Sequence, residues 1–255
     1  MQSILRKEIP QNDREGMDLT GLIPAEEWPL DQAALEALRK RGLRFALGGG
    51  LAFSAYSGRW RNTKDMDLYV LPSDREAAVE AITSVGFEDY YGQEAYDRSW
   101  IYRGFKAEDI IDVIWTMPNH RMEVDPLWLT LGEEVRMYGV NLRLLPAEEL
   151  ILAKLYVLQR DRSDWPDILN ILMARAAQLD WERMLQRVDG DAFLLGGVMS
   201  VFRWLCPEKA QALPAWIWTR LGLTGLHVTS EKEDCQQRAD LLDSRDWFGP
   251  DHGRK

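Results

Sequence analysis

Cysteine and histidine are scarce in this chain. Its two cysteines, Cys206 and Cys235, show neither metal-ligand spacing nor a disulfide framework, so a zinc module or a stapled secreted domain is excluded and a reduced cytoplasm fits best. The three histidines, His120, His227 and His252, are scattered in loop-like contexts, and no zinc or acid–base role is expected of them. Long hydrophobic runs are missing as well. The longest, around Ala192 to Phe202, is too short to span a bilayer, so no membrane partner is expected. The opening MQSILRKEIPQNDREG lacks the apolar core of a signal peptide. Positive charge is in deficit: a net charge of −10 argues against coating nucleic acid by bulk electrostatics, while leaving local RNA contact open. No internal repeat or low-complexity tract interrupts the chain.

What is present suffices for a globular protein. Of 255 residues 46% are hydrophobic, enough for one sizeable core or two modest ones, and the eleven tryptophans are spread throughout. Residues 1–24 are polar and broken by Pro10, Gly16, Gly21 and Pro24, and read as an N-terminal arm. Asp31 can cap a helix carrying Leu35 and Leu38 that stops at Arg39, Lys40, Arg41 and Gly42. Ser73-Asp74-Arg75-Glu76 has the form of a capping box opening a helix to about Val85. Strands are expected over 99–103 and 109–115 with a turn at Gly104 to Ala107, and a strand pair or bent strand over 135–145 with Gly139 at its turn. From Pro146 the pattern is helical: 147–160, 164–178, 180–188, 192–205 and 214–221, with Glu148 and Glu149 in the first turn as dipole complements. The fold class expected is therefore α/β (α+β): a mixed-sheet domain over 25–145, a helical domain over 146–229, and a polar tail over 230–255 with room for one short helix before a loose terminus.

The most informative stretch is residues 48–70, GGGLAFSAYSGRWRNTKDMDLYV. Glycines at the junction of an apolar segment and a helix permit a tight turn and a close backbone approach, and the amides opening that helix suit phosphate. Downstream, Met66, Leu68 and Val70 alternate with Asp65, Asp67 and Tyr69, the period of a strand. Asp65 and Asp67 then share a face, roughly 7 Å apart at the backbone, and hard oxygen ligands so placed suit Mg²⁺. On the expected strand 109–115, Asp112 shares a face with Ile110 and Ile114, so its charge needs a partner, a hydrogen bond or a metal. It reads either as a satisfied edge-of-sheet aspartate or as a third site carboxylate.

A glycine pair opening a helix, followed by Arg-x-Thr-x-Asp-x-Asp, resembles the nucleotidyltransferase superfamily that includes polymerase beta, on Gly48, Gly49, Arg61, Thr63, Asp65 and Asp67. It looks most like the bacterial toxin-type and antibiotic-modifying branches, whose members add a helical domain. The resemblance implies transfer of a nucleoside monophosphate from an NTP to an acceptor with release of pyrophosphate. It implies Asp65, Asp67 and Asp112 as catalytic and metal residues for Mg²⁺ or Mn²⁺, and Gly48, Gly49, Arg61 and Thr63 around the NTP. It also carries over to Lys154, Arg160, Asp164 and Asp167, a constellation in which the cations would neutralise a triphosphate. Asp164 reads alternatively as a helix N-cap, and Arg162 could stand in for Arg160. The acceptor is left as a small cationic molecule, a protein hydroxyl or tRNA, and a partner protein is possible. Two other readings stay open, a sugar transferase built on Asp-Met-Asp and a catalytically silent member of a toxin–antitoxin pair.

Overall fold

The computed structural model describes residues 17–60, 63, 65–225 and 227–242. The chain divides into two compact units, one running to Ala55 and resuming from Trp60 to Pro146, the other taking Tyr56–Arg59 and continuing from Ala147. The first contains β1 (Met17–Asp18), α1 (Trp28–Lys40), β2 (Ala46–Leu47), the opening of α2 (Gly49–Ser57), β3 (Asp65–Tyr69), α3 (Arg75–Thr83) and β4 (Glu88–Asp89). It continues through β5 (Ile101–Lys106), β6 (Asp109–Ile114), β7 (Glu134–Met137) and β8 (Val140–Arg143). Five strands form a mixed sheet in the order β2-β3-β6-β5-β4, parallel only between β3 and β6. A second sheet has the order β1-β7-β8, and a bridge from Leu47 to Leu144 joins the two. The mixed α/β class expected from the sequence is the one observed.

Alternation sets the two faces of the larger sheet. Met66, Leu68, Ile111 and Val113 are buried on the side where α3 packs. Gly104 is part of that packing, since a Cβ there would crowd Ile82 and Phe87. It lies inside β5 and not in a turn; the strand runs on to Lys106, and the reversal shrinks to Ala107 and Glu108, with Ala107 at φ 54°. The hairpin β7–β8 turns through Tyr138 and Gly139, both at positive φ, the backbone of a tight two-residue connection. The capping box at Ser73–Glu76 does not form. Pro72 starts a short 3₁₀ turn, the helix begins at Arg75, and Ser73 donates to Asp74 Oδ1 at 3.2 Å instead. Residues 17–23, read from the sequence as part of an arm, belong to this unit: β1 pairs with β7, Leu19, Leu22 and Ile23 are buried, and Trp28 stacks on Tyr138.

The second unit is helical: α4 (Ala147–Leu155), α5 (Trp165–Arg175), α6 (Trp181–Val188), α7 (Ala192–Leu205), α8 (Pro207–Gln211), α9 (Ala215–Arg220) and α10 (Lys232–Leu242). α4 stops five residues before the expected end. The Trp165 indole donates to the Leu155 carbonyl at 3.1 Å, and the chain doubles back through a bridge between Leu158 and Ser163. α10 lies in the polar tail, where one short helix is expected, and is anchored by buried Arg238, which donates to the carbonyls of Trp204 and Thr229. Among the described residues no helix is long and apolar enough to cross a membrane.

Candidate active site

Cross-strand register brings the chemistry of the first unit to one face of its larger sheet. β3 and β6 run parallel with Asp67 beside Asp112 and Asp65 beside Ile110. β5 and β6 run antiparallel with Arg103 beside Asp112. Neighbouring paired residues project to the same side, so Asp67, Asp112 and Arg103 form a row across three strands, with Asp65 next to it. This is the face away from α3. Asp112 is 2% exposed, whereas the Asp65 side chain is 40% exposed.

The glycines seat the start of α2 against this row. Gly49 has φ +50°, and a Cβ on it would overlap the Asp67 carboxylate; one on Gly48 would overlap the Tyr69 ring. Only glycine lets the helix begin there. The Gly48 amide, expected to face a triphosphate, donates to the Asp67 carbonyl at 2.9 Å, because the β2–β3 ladder extends one residue beyond β2. Thr63 donates its hydroxyl to the Asp65 carbonyl at 2.9 Å and lies against Gly50, so it holds the entry to β3. Arg61 lies outside the described residues.

Arg103 is the residue that sequence reasoning missed. Its Nε and Nη2 donate to the two oxygens of Asp112 at 2.8 and 2.6 Å, and Nη2 lies 3.6 Å from Asp65 Oδ2. Burial pushes the Asp112 carboxyl above the usual range, with the Arg103 hydrogen bonds and charge pulling the other way. The hydrogen bond to Asp112 in turn holds the Arg103 guanidinium more firmly protonated than usual, against its own partial desolvation. The signal was in the sequence. A two-residue turn at 107–108 puts Arg103 opposite Asp112, whereas the expected turn at 104–107 leaves Arg103 as the last residue of its strand, next to the turn and out of register with Asp112.

The donor set narrows the metal expectation. Among the described residues no group of three or more His, Cys, Asp or Glu side chains is disposed to hold a metal ion. Asp112, expected as a third ligand, has both oxygens on Arg103. Asp65 and Asp67 remain as two hard oxygen donors on one strand face, a set that suits Mg²⁺ or Mn²⁺ when phosphates and water complete the shell.

In the second unit, Lys154, Asp164 and Asp167 come together. Lys154 Nζ lies 3.2 Å from Asp164 Oδ2 and 2.6 Å from Asp167 Oδ2, with its side chain only 9% exposed. Arg162, not Arg160, joins them, its Nε 3.3 Å from Asp164 Oδ1; Arg160 is exposed. Asp164 precedes α5 but makes no cap hydrogen bond. Burial works to raise its pKa, yet the charges and hydrogen bonds of Lys154 and Arg162 outweigh that and leave it lowered. Glu148 and Glu149 lie in the first turn of α4 as expected, and both are buried and paired with Arg183, Glu149 also with Arg187.

A family model described as nucleotidyl transferase of unknown function (DUF2204) matches residues 31–190, more than half of the chain. The chain belongs to this family. The matched region of this nucleotidyl transferase runs from α1 to the end of α6, and so takes in the carboxylate row, the Gly48–Gly49 junction and the Lys154 cluster. Membership sets aside the sugar-transferase reading. No curated protein matches the chain. Among solved structures it is similar to the antibiotic-resistance factor ANT(2'')-Ia, at 18% identity and TM-score 0.47 over 70% of this chain and 98% of that one. It is also similar to the lincosamide antibiotic adenylyltransferase LnuA with lincomycin bound, at 14% identity and TM-score 0.43 over 60% of this chain and 99% of that one. JHP933 from Helicobacter pylori is similar at 12% identity and TM-score 0.38 over 86% and 94% of the two chains. Likeness at this level says nothing of substrate.

Proposed function

We propose that this nucleotidyl transferase moves a nucleoside monophosphate from an NTP to a hydroxyl of a small cationic acceptor and releases pyrophosphate, with Asp65 and Asp67 holding a divalent cation, Mg²⁺ or Mn²⁺. The observation that carries the reading is the placement of Asp65, Asp67 and Asp112 on one sheet face, with the glycine-initiated start of α2 pressed against Asp67. A cation bound there supplies charge neutralisation to the phosphates and makes the α-phosphorus more electrophilic. Asp65 and Asp67 would hold that cation from one strand face. The acceptor oxygen attacks the α-phosphorus, the bond to the β-phosphate bridging oxygen breaks, and the acceptor proton passes to a carboxylate. Asp112, beside Asp67, is the proposed recipient, a role that requires Arg103 to give up one of its oxygens. Thr63 keeps the start of β3 in register.

Lys154, Asp164 and Asp167 take no part in this reading, because two carboxylates of the second unit already hold Lys154. The acceptor class rests on charge: a net −10 repels a polyanion such as tRNA and attracts a cation. NTP as donor and two free thiols fit the cytoplasm.

The test is incubation with α- and γ-labelled NTPs, Mg²⁺, and separate pools of amino-sugar-like small molecules, protein and bulk tRNA. Label from the α position on the small-molecule pool, with matching pyrophosphate, is the expected result. Label on tRNA or protein would overturn the acceptor class, and no pyrophosphate from any pool would overturn the reaction.

A further inference from the structure

The carboxylate face carries a positive charge of its own, aimed at two acids at once. The β5–β6 register fixes the base of Arg103 opposite Asp112, and its tip reaches both Asp112 oxygens and comes within 3.6 Å of Asp65. That tip is not sealed in. The Arg103 side chain is 33% exposed, and its guanidinium lies 6.0 Å from the centre of the Tyr90 ring. Asp65 and Asp112 are like charges on this face, and Arg103 is the cation that reaches both.

We propose that Arg103 is a resident counter-cation. In the nucleotide-free protein it holds Asp65 and Asp112 together and keeps bare divalent ions away; when a nucleotide arrives, its guanidinium transfers from carboxylate to phosphate. The proposal rests on the reading of Asp65 and Asp67 as the cation-holding pair. Two cations sharing Asp65 repel across a few ångströms, so a bare ion meets a weakened site. An ion arriving with a triphosphate brings negative charge that a planar, fork-shaped donor can take in exchange for a carboxylate. The same exchange would uncover Asp112 only when substrate is present. Arg103 thus meets the nucleotide directly and governs Asp65 and Asp112 by leaving them.

The experiment measures Mn²⁺ binding to the full chain without nucleotide, by the resonance signal of free Mn²⁺, beside thermal stability with Mg²⁺ alone and with Mg²⁺ plus NTP. Arg103→Gln keeps a hydrogen-bond donor and removes the charge; it should bind Mn²⁺ about tenfold more tightly than the wild type. Arg103→Lys keeps the charge and should stay near the wild type. In the wild type Mg²⁺ alone should leave Tm almost unmoved, whereas Mg²⁺ with NTP raises it by several degrees, on the order expected for ligand linkage. Unchanged or weaker Mn²⁺ binding in Arg103→Gln would overturn the proposal. So would a wild type stabilised as much by Mg²⁺ alone as by Mg²⁺ with NTP, a result that needs no folded variant. Adding Asp65→Asn and Asp67→Asn to Arg103→Gln should abolish the gained Mn²⁺ affinity. If that affinity survives, it is the Asp65–Asp67 reading that has failed.

Discussion

The two units each gather aspartates around a cation, and the two clusters are built to opposite ends. On the sheet face of the first unit, two of the three carboxylates, Asp65 and Asp112, share one guanidinium, and Asp65 and Arg103 are partly open to solvent. In the second unit, two carboxylates share one buried ammonium, and an exposed guanidinium leans on the rim. Charge in the helical cluster is balanced internally; on the sheet, like charges stand side by side on a partly open face. Carboxylates gathered in that way are where a ligand is expected. A compensated and closed cluster is what packing alone would select.

The sharpest way to break that contrast is to neutralise the open cluster. Asp65→Asn with Asp67→Asn should reduce NMP transfer by at least about a thousandfold while Tm holds or rises, since repulsion is relieved and little packing is lost. Labelled-NTP assays with parallel melting curves check it. Breaking the closed cluster should do the reverse. Lys154→Met takes the buried ammonium away from Asp164 and Asp167 and should lower stability by about 3–5 kcal/mol in urea titrations, with activity falling only as far as the folded fraction does.

A third prediction carries the same rule to Asp31, a buried α1 residue in the first unit. Its carboxyl is pushed up to about 7, by burial first and then by the like charges of Asp109 and Glu27. The folded chain therefore keeps a proton that the unfolded chain releases above its ordinary value of 3.8, and stability is lost as pH rises through the interval up to about 7. Asp31→Asn removes that loss. Its stability advantage should grow by on the order of 2 kcal/mol between pH 5 and pH 8, read from denaturation at both. The smallest effect belongs to the rim: the Arg162 side chain is 64% exposed, and Arg162→Ala should change stability by less than about 1 kcal/mol.

Much of this was legible because it is local. Strand period two, read on Asp65 to Val70, already puts Asp65 and Asp67 on one side, since successive side chains on a pleated strand must alternate. The glycine pair before a helix points to a close approach, and the structure supplies the neighbours, Tyr69 and Asp67, that forbid a Cβ. Helix starts were less legible. Ser73–Glu76 had the letters of a capping box, yet Pro72 chose a 3₁₀ entry, and Asp164 had the position of a cap while Lys154 took its side chain. A short polar side chain has several partners within reach, and its neighbours in sequence do not say which will arrive.

By itself, then, the sequence determined the mixed α/β class, the strand that carries Asp65 and Asp67, and the glycine junction before them, because periodicity and backbone freedom act within a few residues. Tertiary structure alone decided that Arg103 lies on Asp112, that the Gly48 amide belongs to the sheet, and that Lys154 is neutralised from α5 and the loop before it. Those outcomes depend on register and packing. A hairpin turn two residues shorter than expected moves every cross-strand partner, and a helix ended five residues early by a tryptophan indole redirects the charges beyond it.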